Sequence, residues 1–148
     1  MRFMAMVMTK DYGTAKPGTL PDEAQLSAMG KFNEELVKAG VMLAGEGLHP
    51  PSMGARVNYT KGQREREVVD GPYSEAREVV GGFWILDVKD KEEAIAWMKR
   101  APFHHDAVVE IRQVQEIEDF EPSPAIERER KLGEKIKAQN AARAAQKK

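Results

Sequence analysis

Two strand-length segments of this chain, residues 2–8 and 83–88, are apolar at odd and even positions alike. Phe3, Ala5 and Val7 alternate with Met4, Met6 and Met8, and Phe83 and Ile85 alternate with Trp84 and Leu86. Successive side chains of a strand point to opposite faces of its sheet. A segment apolar on both sides is destabilised wherever one side meets water, so both are expected as inner strands. A chain of 148 residues with 41% hydrophobic content supports one such core rather than two.

The rest of the pattern interleaves helices and strands. Pro21, Asp22 and Glu23 carry first-turn signals, Leu26, Met29, Phe32, Leu36 and Val37 recur at helical spacing, and Gly40 suits a left-handed stop, which predicts a helix over 22–39. Val41-Met42-Leu43-Ala44 begins a second strand that runs into Gly45, Gly47, Pro50 and Pro51, where regular pairing is expected to break. Residues 56–60 and 65–69 read as a polar hairpin around Gly62, and Asp70-Gly71-Pro72-Tyr73 reads as a turn. Gly81-Gly82 then precedes the 83–88 strand. Asp90 and Glu93 form a capping box ahead of Ala94, Ile95, Trp97 and Met98, Pro102 stops that helix, and the more polar 108–114 is a last strand in a less enclosed position.

This order is that of an α+β, ferredoxin-like β-α-β-β-α-β fold with an antiparallel sheet and an inserted hairpin. Two helices cover one face of such a sheet. The other face, carrying either the Phe3 or the Met4 set, is expected to pack sheet to sheet against a second copy, making a homodimer.

The fold is expected to occupy residues 1–120. Pro122 and Pro124 mark a boundary, after which residues 121–148 hold eight basic and four acidic side chains and only Ile126, Leu132 and Ile136 as larger apolar anchors. That composition suits a solvated helical tail, marginal by itself, or an arm that docks a partner or touches nucleic acid.

Composition removes several function classes. With 23 basic and 24 acidic residues the net charge is −1, so no global positive field draws the chain to nucleic acid or an anionic membrane. The absence of cysteine removes disulfides, thiolate nucleophiles and cysteine-ligated metals. The apolar start is too brief for a membrane span and lacks a small-residue cleavage site, which makes a cytoplasmic protein the expectation. Gly45-x-Gly47 lacks the third glycine of a dinucleotide fingerprint, and no P-loop, H-E-x-x-H or G-x-S-x-G motif is present. No cofactor is therefore expected. The adjacent His104 and His105 beside Asp106 give only weak support to a metal, because neighbouring side chains diverge.

The candidate chemistry lies between residues 45 and 80. His49 follows a glycine-rich strand end and precedes two prolines, where an imidazole can be held rigidly over a pocket; the plainer alternative is a surface histidine. Asp70, in its forced turn, is either an aspartate that accepts turn amides or an acid, base or ligand anchor in a cleft. Arg56, Tyr73 and Glu75 come from the same constrained loops and are the candidate ligand-binding residues.

Asp70-Gly71-Pro72-Tyr73 with Glu75, Glu78 and Gly81-Gly82 strongly resembles the DGPF-domain group of the YCII-related family, with Tyr73 in place of phenylalanine. The likeness extends from the Met-Arg-Phe-Met start through Gly45-Glu46-Gly47-Leu48-His49-Pro50 to Glu110-Ile111-Arg112-Gln113-Val114 and Glu118-Asp119-Phe120, and leaves out the 121–148 tail. The resemblance implies a dimeric α/β barrel. It also implies a His–Asp pair whose histidine lies near the first helix. Residues 20–39 hold no histidine, so His49 with Asp70 is the substitute this sequence offers. A further implication is association with extracytoplasmic-function sigma factors.

Two functions are carried forward. The first is a bacterial cytoplasmic homodimer binding a small polar or aromatic molecule, with cofactor-free proton transfer by His49, oriented or assisted by Asp70, if it is an enzyme. The second is a non-catalytic accessory protein that regulates a sigma factor or other partner through the tail.

Overall fold

The computed structural model describes residues 1–59, 66–73, 78–103 and 107–146. They fall into two units, Met1–Val114 and Gln115–Lys148. The first unit contains β1 (Arg2–Thr9), α1 (Glu23–Lys38), β2 (Met42–Gly47), β3 (Ala55–Asn58), β4 (Glu67–Asp70), β5 (Val79–Asp87), α2 (Lys91–Met98) and β6 (Val108–Gln113). Four strands form one open antiparallel sheet in the order β2-β5-β1-β6, and β3 and β4 form a separate two-stranded ribbon. The inner pair is β1 and β5, the two segments apolar on both faces. The more polar β6 lies at an edge.

The helices cover the Phe3 face. Phe3, Ala5 and Val7 of β1 and Trp84 and Leu86 of β5 are buried with Phe32 and Leu36 of α1 and Ala94 and Met98 of α2. Trp84 fixes the centre of this layer: it meets Phe32 edge to face at 6.0 Å and Phe103 at 6.1 Å, and its indole N–H donates to Asn33 Oδ1 at 2.9 Å. The opposite face carries Met4 paired with Ile85 and Met6 paired with Phe83, all partly exposed. Arg112 and Glu110 sit beside Met4 and Met6 on β6, and Glu46 sits beside Phe83 on β2.

Local chemistry sets the helix ends, with two departures from expectation. Asp22 is the N-cap of α1: its carboxylate accepts the Gln25 N–H at 2.8 Å while the Gln25 amide oxygen accepts the Asp22 N–H at 3.3 Å. Pro21 therefore precedes the helix instead of opening it. Gly40, at φ +72°, closes α1 in the left-handed region. The buried stripe of α1 is also narrower than its apolar pattern: Phe32 and Leu36 are buried, whereas Leu26 and Val37 face solvent. In α2, Asp90 caps the Glu93 N–H at 2.8 Å, but the Glu93 carboxylate accepts from Lys89 N–H, one residue further back than a capping box requires. That helix ends at Met98, four residues before Pro102.

Two glycine pairs read as breaks lie inside strands. Pairing of β2 with β5 continues through Gly45, Glu46 and Gly47 opposite Trp84, Phe83 and Gly82. A Cβ on Gly45 would approach Met42 Cε to 2.6 Å and Trp84 Cδ1 to 2.7 Å, so glycine admits the indole rather than interrupting the ladder. At Gly81 the β1–β5 register slips, with Val7 opposite Gly82 and Met8 opposite Val80. This is a β-bulge that leaves one extra residue in β5 and lets the strand start at Val79.

The second unit holds a short 3₁₀ turn, Ile117–Asp119, and α3 (Pro124–Gln146), on which Glu127 pairs with Arg130 at 3.5 Å and with Lys131 at 3.9 Å. None of its described residues is buried. Among the described residues no helix is long and apolar enough to cross a membrane.

Candidate functional site

The segment after β2 cannot extend the sheet, because Pro50 and Pro51 fall where backbone donors are needed. It is held in place by other groups. The bulged Gly81 carbonyl accepts the Leu48 N–H at 2.9 Å, and the Tyr12 hydroxyl donates to the Leu48 carbonyl, also at 2.9 Å. Ser52 Oγ donates to the Ala15 carbonyl at 2.9 Å, and a 3₁₀ turn closes over Pro51–Met53. Pro50 is fully buried beneath this turn. Burial raises the pKa of the Tyr12 phenol above its ordinary value, keeping the proton that the Leu48 carbonyl accepts.

The ribbon then folds back on the turn. Asp70 pairs with Ala55, and the Gly71 N–H donates to the Gly54 carbonyl at 2.9 Å. Gly71 lies so close to the Pro51 carbonyl that any Cβ there would collide with backbone. The Gly71–Pro72 peptide is cis. Tyr73 follows, and the Arg56 guanidinium carbon stands 3.9 Å from its ring centroid.

The result is an open pocket of about 350 Å³. Leu48, Pro50, Pro51, Met53, Val79 and Val80 supply apolar walls, and His49, Arg56 and Tyr73 supply the polar groups. Three of the five candidate residues thus meet, His49 from the loop after β2, Arg56 from β3 and Tyr73 from the segment after β4. Asp70 does not line the pocket. Strand alternation explains why: Asp70 is in register with Ala55, one residue from Arg56, and so shares the opposite side of the ribbon. No hydrogen bond or ion pair joins Asp70 to His49 among the described residues. Glu75 lies outside the described residues, as do His104 and His105. Among the described residues no group of three histidine or carboxylate side chains is placed to hold a metal.

Sequence reasoning passed over Tyr12, Val79, Val80 and Met53. Tyr12 stands in a loop without periodicity, and its partner is a backbone carbonyl, which no residue pattern advertises. Val79 and Val80 could have been recognised by reading Gly81-Gly82 as a bulge within an apolar strand instead of a boundary before one.

The pocket combines one guanidinium, one imidazole and one phenol with a mostly apolar lining. A search of curated proteins finds no match to the chain. The model of the YCII-related domain matches residues 1–118, spanning the sheet, both of its helices and every residue of the pocket, and the chain therefore belongs to the YCII-related family.

Proposed function

We propose that the protein binds a small molecule in the pocket between the Leu48–Arg56 segment, Tyr73 and the start of β5, and that His49 exchanges a proton with that molecule. The observation that carries this reading is the convergence of His49, Arg56 and Tyr73 on one apolar concavity whose walls are tied by backbone hydrogen bonds. Imidazole is the side chain suited to proton exchange near neutral pH. Asp70, across the ribbon, acts through the wall: its strand pairing sets the Gly71–Gly54 hydrogen bond and hence the position of Tyr73. The subunit is ferredoxin-like, and two subunits pair through the Met4, Met6, Phe83 and Ile85 face to form a dimeric α/β barrel.

A nuclear magnetic resonance screen of small polar and aromatic compounds should shift resonances of Leu48, His49, Met53, Tyr73 and Val79 together. Hits that perturb only other surfaces would remove the assignment. Once a ligand or substrate is in hand, His49→Ala should abolish proton transfer while binding persists, and Asp70→Ala, which keeps the backbone pairing, should leave binding and the pH profile unchanged. A shifted profile in Asp70→Ala would restore Asp70 as the group that orients His49.

A second reading, an accessory protein that engages a sigma factor, is favoured by α3, a 23-residue helix on which no residue is buried and Leu132 and Ile136 are each 48% exposed. Deleting residues 122–148 should abolish capture of a purified sigma factor and leave pocket binding intact.

A further inference from the structure

We infer that the ligand is a small aromatic or otherwise apolar monocarboxylic acid, its carboxylate held by Arg56 and its body seated against Pro50, Met53, Val79 and Val80. This rests on the pocket assigned above as the binding site and names the class of molecule it selects. Three observations carry it.

The first is the state of Arg56. Its guanidinium carbon stands 3.9 Å from the Tyr73 ring centroid, a cation–π contact, and its N–H donors make no hydrogen bond to another described residue. No carboxylate pairs with it among the described residues. A planar carboxylate is the complement of a guanidinium fork, two parallel N–H···O bonds in one plane, and the contact with the phenol keeps the cation at this wall before the ligand arrives.

The second is the sign of the field. Among the described lining residues no acidic side chain occurs, and Arg56 is the only permanently charged one. Asp70, the candidate carboxylate among the described residues, is placed across the ribbon from it by strand alternation. An anion is therefore favoured over a cation, and one guanidinium suits a monoanion better than a phosphate ester, which needs several converging donors.

The third is size and polarity. A volume of about 350 Å³ lies near the small end of the range for ligand sites, roughly 300–1,000 Å³, and suits a single ring with its substituent. Prolines, valines and methionine on the walls stabilise an apolar body and offer it few hydrogen bonds.

Calorimetric titration of the full chain at neutral pH with benzoate, benzamide and acetate separates these contributions. Benzoate should bind at least about tenfold more tightly than benzamide, which has the same shape without the charge, and more tightly than acetate, which has the charge without the ring. Arg56→Gln should bring benzoate down to the benzamide level. Arg56→Lys, which keeps the charge but loses the fork, should fall between them. Equal binding of benzoate and benzamide, with resonance shifts at Met53 and Val79, would overturn the acid assignment while leaving the pocket in place. Absence of pocket shifts with either ring compound would overturn both. Thermal melting of each variant reports that the fold is intact, as expected for an exposed side chain.

Discussion

At the scale of single residues, two of the contacts that hold the pocket wall can each be removed by one substitution. Tyr12 ties Leu48 through its hydroxyl, and burial of that phenol, which raises its pKa, makes stability pH-dependent. The folded state holds this proton more tightly than the unfolded chain, whose phenol ionises near 10.0. The contribution to stability is therefore complete below that pH and is lost as pH rises through the higher folded value. Thermal melting of the native chain should fall more steeply above this point than melting of Tyr12→Phe; parallel curves would show that burial does not hold the phenol protonated. Gly71 is the second contact. Gly71→Ala would drive a methyl into the Pro51 backbone, so it should separate ribbon from turn and reduce ligand binding at least about tenfold, beyond its cost to stability of about 1–3 kcal/mol. Binding and melting measured together check both parts. His49, Arg56 and Tyr73 were recognisable as candidates because proline and glycine constrain the loops that carry them. Asp70 was recognisable as a turn residue, but its side of the ribbon depends on a register that one chain segment alone does not specify.

At the scale of elements, capping and periodicity were largely legible. The Asp22–Gln25 box and Gly40 bound α1 within a residue of expectation, because caps are local chemistry acting over three or four residues. Asp22→Ala should lower stability by about 1 kcal/mol, read from thermal or urea unfolding, while leaving the pocket unchanged. Glycine inside strands was misread for the opposite reason. Gly45 is required by the Trp84 indole across the ladder, and that neighbour is 39 residues away in sequence. Gly45→Val should destabilise the fold by about 1–3 kcal/mol, since the indole is held by Asn33 and by Phe32 and Phe103 and cannot retreat. A variant as stable as the parent would show that the indole moves freely.

At the scale of the molecule, the decisive feature is the sheet face that α1 and α2 do not cover. Met4, Met6, Phe83 and Ile85 form its apolar centre, with Glu46, Glu110 and Arg112 at the flanks, an arrangement of apolar middle and charged rim suited to a second copy. A stable pair would bury on the order of 1,200 Å² or more in total. Sedimentation at micromolar concentration should show a two-subunit species, and Met6→Glu should convert it to single subunits; a stable monomer in the parent chain would exclude the proposed barrel. By itself the sequence determined which segments are inner strands, where α1 and α2 begin and where α1 ends, and that two helices leave one sheet face open, because each follows from side-chain alternation or from hydrogen bonds between near neighbours. Tertiary structure alone decided that glycines lie within the ladders, that Tyr12 holds Leu48, and that Arg56 rather than Asp70 faces the pocket. Those outcomes depend on register and close approach between residues far apart in the chain, and packing sets them only once the sheet has formed.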